Sequence, residues 1–200
     1  MVRSRSQINR SLRSLIARRP LPMTALGIID KFEADAASQE NDRGVVLVTV
    51  ALVEQFLEDA ILVYCLKSFE KPPNRDRLFG DDPATGGAVI SFAGKITLGH
   101  ALGIYGENFR SDLDRLRRIR NAFAHAKSHI GFKSKAIRDA VAFNIFDPKF
   151  DFMPTGPRTD TPKKMFLGAA SISMIFLYTM ANRKRRYRPR ARPTKSFFYS

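Results

Sequence analysis

Between Phe109 and Ala126 the apolar positions Phe109, Leu113, Leu116, Ile119, Phe123 and Ala126 recur every three or four residues. That spacing predicts an amphipathic helix. The stretch FRSDLDRLRRIRNAFAHA has no Gly or Pro and consists mostly of good helix formers. Asp114 and Arg118 stand one turn apart, as an ion pair would. Arg120 follows Leu113 by seven residues and Leu116 by four, so the periodicity predicts that it projects from the apolar stripe. A guanidinium there must be paired or face a ligand, because it keeps its charge on burial. Asn121 and His125 share a neighbouring face.

Other segments carry weaker periods. Ala25–Ala37 reads as a short helix. Asp42-Arg43-Gly44 opens the longest apolar run, Val45 to Phe69, which is too long for a strand and carries charges at helical spacing. One of its faces holds Leu47, Ala51, Glu54, Glu58, Ile61 and Cys65. Two carboxylates on such a stripe need partners, with Arg120 or Arg117 expected, or else a place at the rim with access to water. Lys71–Val89, rich in Pro, Gly and Asp, reads as one long loop. Ser91 is a good N-cap for a helix over Phe92–Leu102 that stops near Gly103. Lys133–Phe146 reads as a further helix ended by Pro148, and Asp147–Pro162 as a Pro-rich linker. Met165–Ala181 is uncharged over 17 residues, at the bottom of the length range for a membrane span, and Gly, Ser and Thr dilute it. The expectation is a helix buried in the bundle, with a membrane span as the alternative.

Charge changes the picture at the ends. The chain of 200 residues carries a formal +15. Residues 1–20 hold six Arg and no acid, and residues 182–200 hold eight Lys/Arg and no acid. Subtracting these 14 from 34 basic residues leaves 20 basic against 19 acidic between them, which is near neutrality. Block charge of this kind resists folding and acts as an interaction arm, with nucleic-acid phosphate the commonest partner. Arg183, Lys184, Arg185, Arg186, Arg188, Arg190 and Arg192 are the expected phosphate contacts. Anionic lipid, an acidic protein or a merely solubilising tail are the alternatives. Residues 1–19 also have the composition of a transit peptide, although the equally basic C-terminal tail needs another explanation. Cys65 is the single cysteine, so no internal disulfide forms, which suits a reducing, cytoplasmic compartment.

The candidate chemistry is narrow. His125 and His129 stand four apart but are too few for a zinc site, and no metal or cofactor is expected. His100 reads as a core-edge residue. Cys65 lies in an apolar run and reads as inert. Gly86-Gly87 lacks the Lys-Ser/Thr that a phosphate loop requires. The structural reading of the central trio pairs Arg120 with Glu54 or Glu58 and lets His125 cap its own helix end.

The order of the elements resembles the mannitol repressor (MltR) family of bacterial proteins. The resemblance runs over roughly residues 32–143. It rests on Asp42-Arg43-Gly44, Leu78-Phe79-Gly80, Ser91-Phe92-Ala93-Gly94-Lys95-Ile96, Ala101-Leu102-Gly103, Arg117-Arg118-Ile119-Arg120-Asn121, Phe123-Ala124-His125 and Phe132. That family is similar to the wider HEPN class of all-helical domains, whose Arg-x4-6-His motif Arg120, Asn121 and His125 match. In HEPN ribonucleases the motif cuts RNA without metal, usually across a dimer. By that resemblance His125 would be general acid or base at the 2′-hydroxyl, Arg120 would hold the scissile phosphate and Asn121 would orient it. The mannitol repressor branch resembles inactive, regulatory members instead, and its named role is transcriptional repression. The chain shows no helix-turn-helix signature, and its basic tails depart from the family core.

The expected fold is all-α, a bundle of five to seven helices around Gly44–Phe69 and Phe109–Ala126. A basic arm (1–20) precedes the bundle (21–181) and a basic tail (182–200) follows it. The expected function is that of an intracellular regulatory or nucleic-acid-associated module, working as a homodimer or with a regulatory protein partner and without a membrane role. The alternative is a metal-independent, toxin-like endoribonuclease using Arg120 and His125, supported by Glu54 and Glu58.

Overall fold

A computed structural model describes residues 41–65, 67–71, 73–80, 86–146 and 161–182. Among these the protein is all-α, with six α-helices and no strand. They are α1 (Asp42–Leu62), α2 (Asn74–Phe79), α3 (Phe92–Ala101), α4 (Glu107–His125), α5 (Lys135–Ala140) and α6 (Pro162–Asn182). The expected arm, the helix over 25–37, most of the linker and the seven tail cations lie outside the described residues.

Helix α1 is the axis. Its apolar residues are not confined to one narrow stripe, because α6, α4 and α3 all pack on it. Val46, Val53, Leu57, Ala60 and Ile61 are fully buried. Asn41 caps its start, with Oδ1 accepting from the backbone N–H of Arg43 at 3.1 Å and Gly44 at 3.2 Å. The helix stops at Leu62 rather than running to Phe69. The chain there tightens into i→i+3 bonds at Tyr64 and Cys65 and then into a 3-10 turn over Lys67–Glu70.

Helix α3 begins on Ser91, whose Oγ accepts from the Gly94 N–H at 3.0 Å. It closes with the N–H of Gly103 on the His100 carbonyl and that of Ile104 on Gly99. Gly103 sits at φ 68°. This paired closure requires a left-handed residue after the cap, so Gly is the residue that fits. The turn delivers Tyr105 back onto α3, where its hydroxyl donates to the Ile96 carbonyl at 2.8 Å.

Two segments differ from expectation. The stretch over 71–89 is not one loop, since it contains α2, and the N–H groups of Gly87, Ala88 and Val89 bond back to the carbonyls of Gly80, Arg77 and Leu78. The segment over 133–146 is not one helix. Only α5 and a 3-10 turn over Asn144–Phe146 form, because the chain folds back to cover α4. Ile137, Val141 and Phe143 are buried by that return.

Helix α6 packs chiefly against α1. Phe166, Ala169, Ala170, Met174 and Leu177 are buried in the common core. It is the one described helix long and apolar enough to cross a membrane, yet half of its apolar window is covered by the bundle. Placement as a bundle helix therefore agrees with its sequence.

Candidate functional site

Helix α4 buries Leu113, Leu116, Ile119 and Phe123, as its period requires. Arg120 does not follow them. It is exposed, and its one hydrogen bond runs from Nη1 to the neighbouring Asn121 Oδ1 at 3.2 Å. The inward-facing guanidinium expected from the helical wheel is thus corrected. Leu113 and Arg120 share nearly the same azimuth at the edge of the buried arc, and the later buried residues Leu116, Ile119 and Phe123 carry the covered face away from Arg120. A long Arg stem can in any case carry its head out to water.

Glu54 and Glu58 are paired, but with neither Arg120 nor Arg117. Lys95 on α3 enters between them, its Nζ 2.5 Å from Glu54 Oε1 and 2.9 Å from Glu58 Oε1. Arg75 on α2 adds a bond from Nη2 to Glu58 Oε2 at 3.0 Å and a longer one to Asp59 at 3.5 Å. The Lys95 ammonium also lies 5.8 Å from the Phe79 ring centre. Burial pulls the Lys95 pKa down, but hydrogen bonds and charge from Glu54 and Glu58 outweigh it and leave the group above its ordinary value. The cluster joins α1, α2 and α3. Arg117 instead bonds Asp114 at 3.0 Å, and Asp114 also holds Arg110 at 3.2 Å rather than Arg118.

His125 is exposed in the last turn of α4 and does not cap it. That work falls to Arg43, whose Nη2 donates to the Ala126 carbonyl at 2.9 Å. Its neighbour Asp42 accepts from the Phe132 N–H at 3.2 Å and pairs with Lys163 at 3.3 Å. The Asp42-Arg43-Gly44 run therefore ties the start of α1 to the exit of α4 and to α6. Of the central trio, Asn121 and His125 lie one turn apart on a shared face, while five residues of helix separate Arg120 from His125 by about 140°. Among the described residues no hydrogen bond joins Arg120 to His125.

A cavity of about 310 Å³ opens elsewhere, at the α3–α4 corner, between Tyr105, Phe109, Ile145, Ile172 and Phe176. Asp112 lies at its edge, but its carboxylate already accepts from the backbone N–H of Asn144 at 2.8 Å and Ile145 at 2.7 Å. Burial pushes the Asp112 carboxyl above its usual range, against the pull of those two bonds. The cavity can take a small apolar group and presents no converging polar pair for chemistry. Among the described residues, no group of three His, Cys, Asp or Glu is placed to hold a metal. Cys65 is half-buried, and its thiol donates to the Ile61 carbonyl at 3.5 Å.

Two features escaped the reading of the sequence. The first is Lys95, a lone cation in an apolar helix one turn from its cap, where an acid pair on another helix should have suggested it. The second is a run inside the near-neutral body. From Arg115 to Arg138 there are eight Lys/Arg and no acid, a bias hidden when charge is averaged over the middle of the chain.

Comparison of the chain with protein-family models, with curated proteins and with solved structures gave no match in any of the three.

Proposed function

We propose that this protein is a regulatory or interaction module of the mannitol repressor type, non-enzymatic and cytoplasmic, whose basic ends contact nucleic-acid phosphate. The observation that carries the reading is the placement of charge: 14 of 34 basic residues lie in two acid-free ends. Such segments bind polyanions through counterion release. That no hydrogen bond joins Arg120 to His125 among the described residues favours binding over catalysis. The test is binding to labelled duplex DNA and RNA over a salt series. Affinity is expected to fall steeply with salt and to drop when residues 183–200 are deleted. Unchanged binding after that deletion would remove the C-terminal arm from the proposal. A homodimer or a regulatory protein partner belongs to the same reading, and sedimentation of the purified chain distinguishes them.

One observation favours a second reading, that of a metal-independent endoribonuclease. Arg120 and His125 both reach solvent at the end of α4, where a second copy of the helix could complete the site. Labelled RNA incubated with the protein in EDTA decides it. Cleavage abolished by His125→Ala supports the enzyme, and an absence of cleavage, or cleavage that survives the substitution, rejects it.

A further inference from the structure

The acid-free run from Arg115 to Arg138 is folded into one hairpin. After α4 ends at His125 the chain reverses, and the Phe132 ring packs 5.5 Å from that of Phe123. It then runs back along α4, with Ile137 and Val141 buried, until the Asn144 and Ile145 N–H groups meet the Asp112 carboxylate. All eight cations of the run therefore decorate the C-terminal half of α4 and the strap that returns beside it. Arg118, Lys127, Lys133, Lys135 and Arg138 are exposed, and none of them has an ion pair among the described residues. Arg117 is the one cation of the run bonded to an acid, at Asp114. The first acid after the run is Asp139. At the other end of the bundle Glu54 and Glu58 are engaged by Lys95 and Arg75. The described residues carry 17 Lys/Arg against 10 Asp/Glu, and eight of the 17 lie in this run.

We propose that the α4–α5 hairpin is a docking surface for the phosphate backbone of double-stranded DNA, working independently of the basic ends. The inference rests on the reading of the protein as a nucleic-acid-associated regulator and locates part of the contact on the folded bundle. Scale supports the match. Arg115 to His125 spans about 15 Å of helix, and a duplex carries one phosphate charge per roughly 1.7 Å of its axis. Arg115 and Arg118 lie about 60° apart on one face of α4, and with the exposed cations of the strap they can face several phosphates. Exposed rings on the hairpin are limited to the imidazoles of His125 and His129, which favours a duplex over a single strand. Single-strand binders present exposed aromatic rings on which unstacked bases lie. The large apolar side chains exposed among the described residues are Val48, Tyr64 and Ile90, none of them on the hairpin. Backbone contacts of this kind position a duplex without reading its sequence.

The experiment uses the full chain, a fluorescent duplex of unrelated sequence and a salt series. One variant combines Arg118→Gln, Lys133→Gln, Lys135→Gln and Arg138→Gln. A second lacks residues 183–200. A control carries Lys67→Gln and Lys71→Gln, exposed cations that lie outside the hairpin. The four hairpin residues are exposed, so the variant should melt as the parent does. The expected result is at least a tenfold weaker association for the hairpin variant and a salt slope shallower by about 2 to 4, since each phosphate contact contributes roughly 0.9. The loss should be equal on any duplex sequence, and the control should bind as the parent does. If the hairpin variant keeps parental affinity and slope while the tail deletion loses binding, the hairpin inference falls and the broader reading stands. If the parent binds no duplex even at low salt, both fall. Tighter binding of single-stranded RNA than of duplex, with the same sensitivity to the four substitutions, overturns the assignment to DNA.

Discussion

Lys95 is the residue on which three helices converge, and its side chain keeps only 5% of its surface in solvent. Removing it leaves two facing carboxylates with Arg75 as the remaining cation among the described residues. Breaking a buried pair from one side costs about 3–5 kcal/mol, and the quarter of the Glu54 side chain that reaches water places this case at the low end. Lys95→Met is therefore expected to destabilise the protein by about 3 kcal/mol in urea unfolding at neutral pH. A loss under about 1 kcal/mol would show the cluster to be ornamental. The alkaline side has its own sign. The folded Lys95 pKa lies above its ordinary value, so its stabilisation is complete below the unfolded pKa of about 10.4 and is lost as pH rises through the folded value. The parent should lose stability in that window more steeply than Lys95→Met does. Arg120 offers the contrast. Its exposed guanidinium bonds only the adjacent Asn121, so Arg120→Gln should change the unfolding midpoint by no more than about 0.5 kcal/mol in free energy. A large loss would mean that the side chain supports the fold after all.

At the scale of elements, α4 was legible because its period is strong and its length is more than three turns. The start and stop of α3 were legible because Ser91 and Gly103 signal them through local chemistry. Lys133–Phe146 was not, since a six-residue helix and a 3-10 turn are held by packing on α4 and by the Asp112 carboxylate, not by propensity. The same carboxylate gives a test. Asp112→Asn offers one acceptor oxygen where two N–H groups now find two, and should cost about 1–3 kcal/mol, with faster hydrogen exchange at Asn144 or Ile145. Unaltered exchange there would deny the clamp. The α3–α4 corner gives another. A Cβ at Gly99 would fall 2.5 Å from the Tyr105 hydroxyl, so Gly99→Ala must displace that ring and is expected to cost about 1–3 kcal/mol. Tyr105→Phe, which loses only the bond to the Ile96 carbonyl, should cost about 1 kcal/mol. Equal costs for the two would show that the close approach is of no consequence.

For the molecule as a whole, the question that length and hydropathy leave open is what α6 is for. Packed on α1, it supplies Met174 and Leu177 to the core, so each truncation to Ala should cost about 2–5 kcal/mol in the detergent-free protein. A segment meant for lipid would leave the folded body indifferent to both changes. The all-α class, the bundle, the main helices and the basic ends were determined by the sequence alone, because periodicity, caps and block charge are properties of neighbours along the chain. Which cation meets Glu54 and Glu58, which way Arg120 turns, what caps α4 and where the cations from Arg115 to Arg138 gather were decided only by the tertiary structure. The ion-pair and cap partners lie between 16 and 83 positions away, the covered face of α4 is set by the helices packed on it, and a helical wheel holds no record of either.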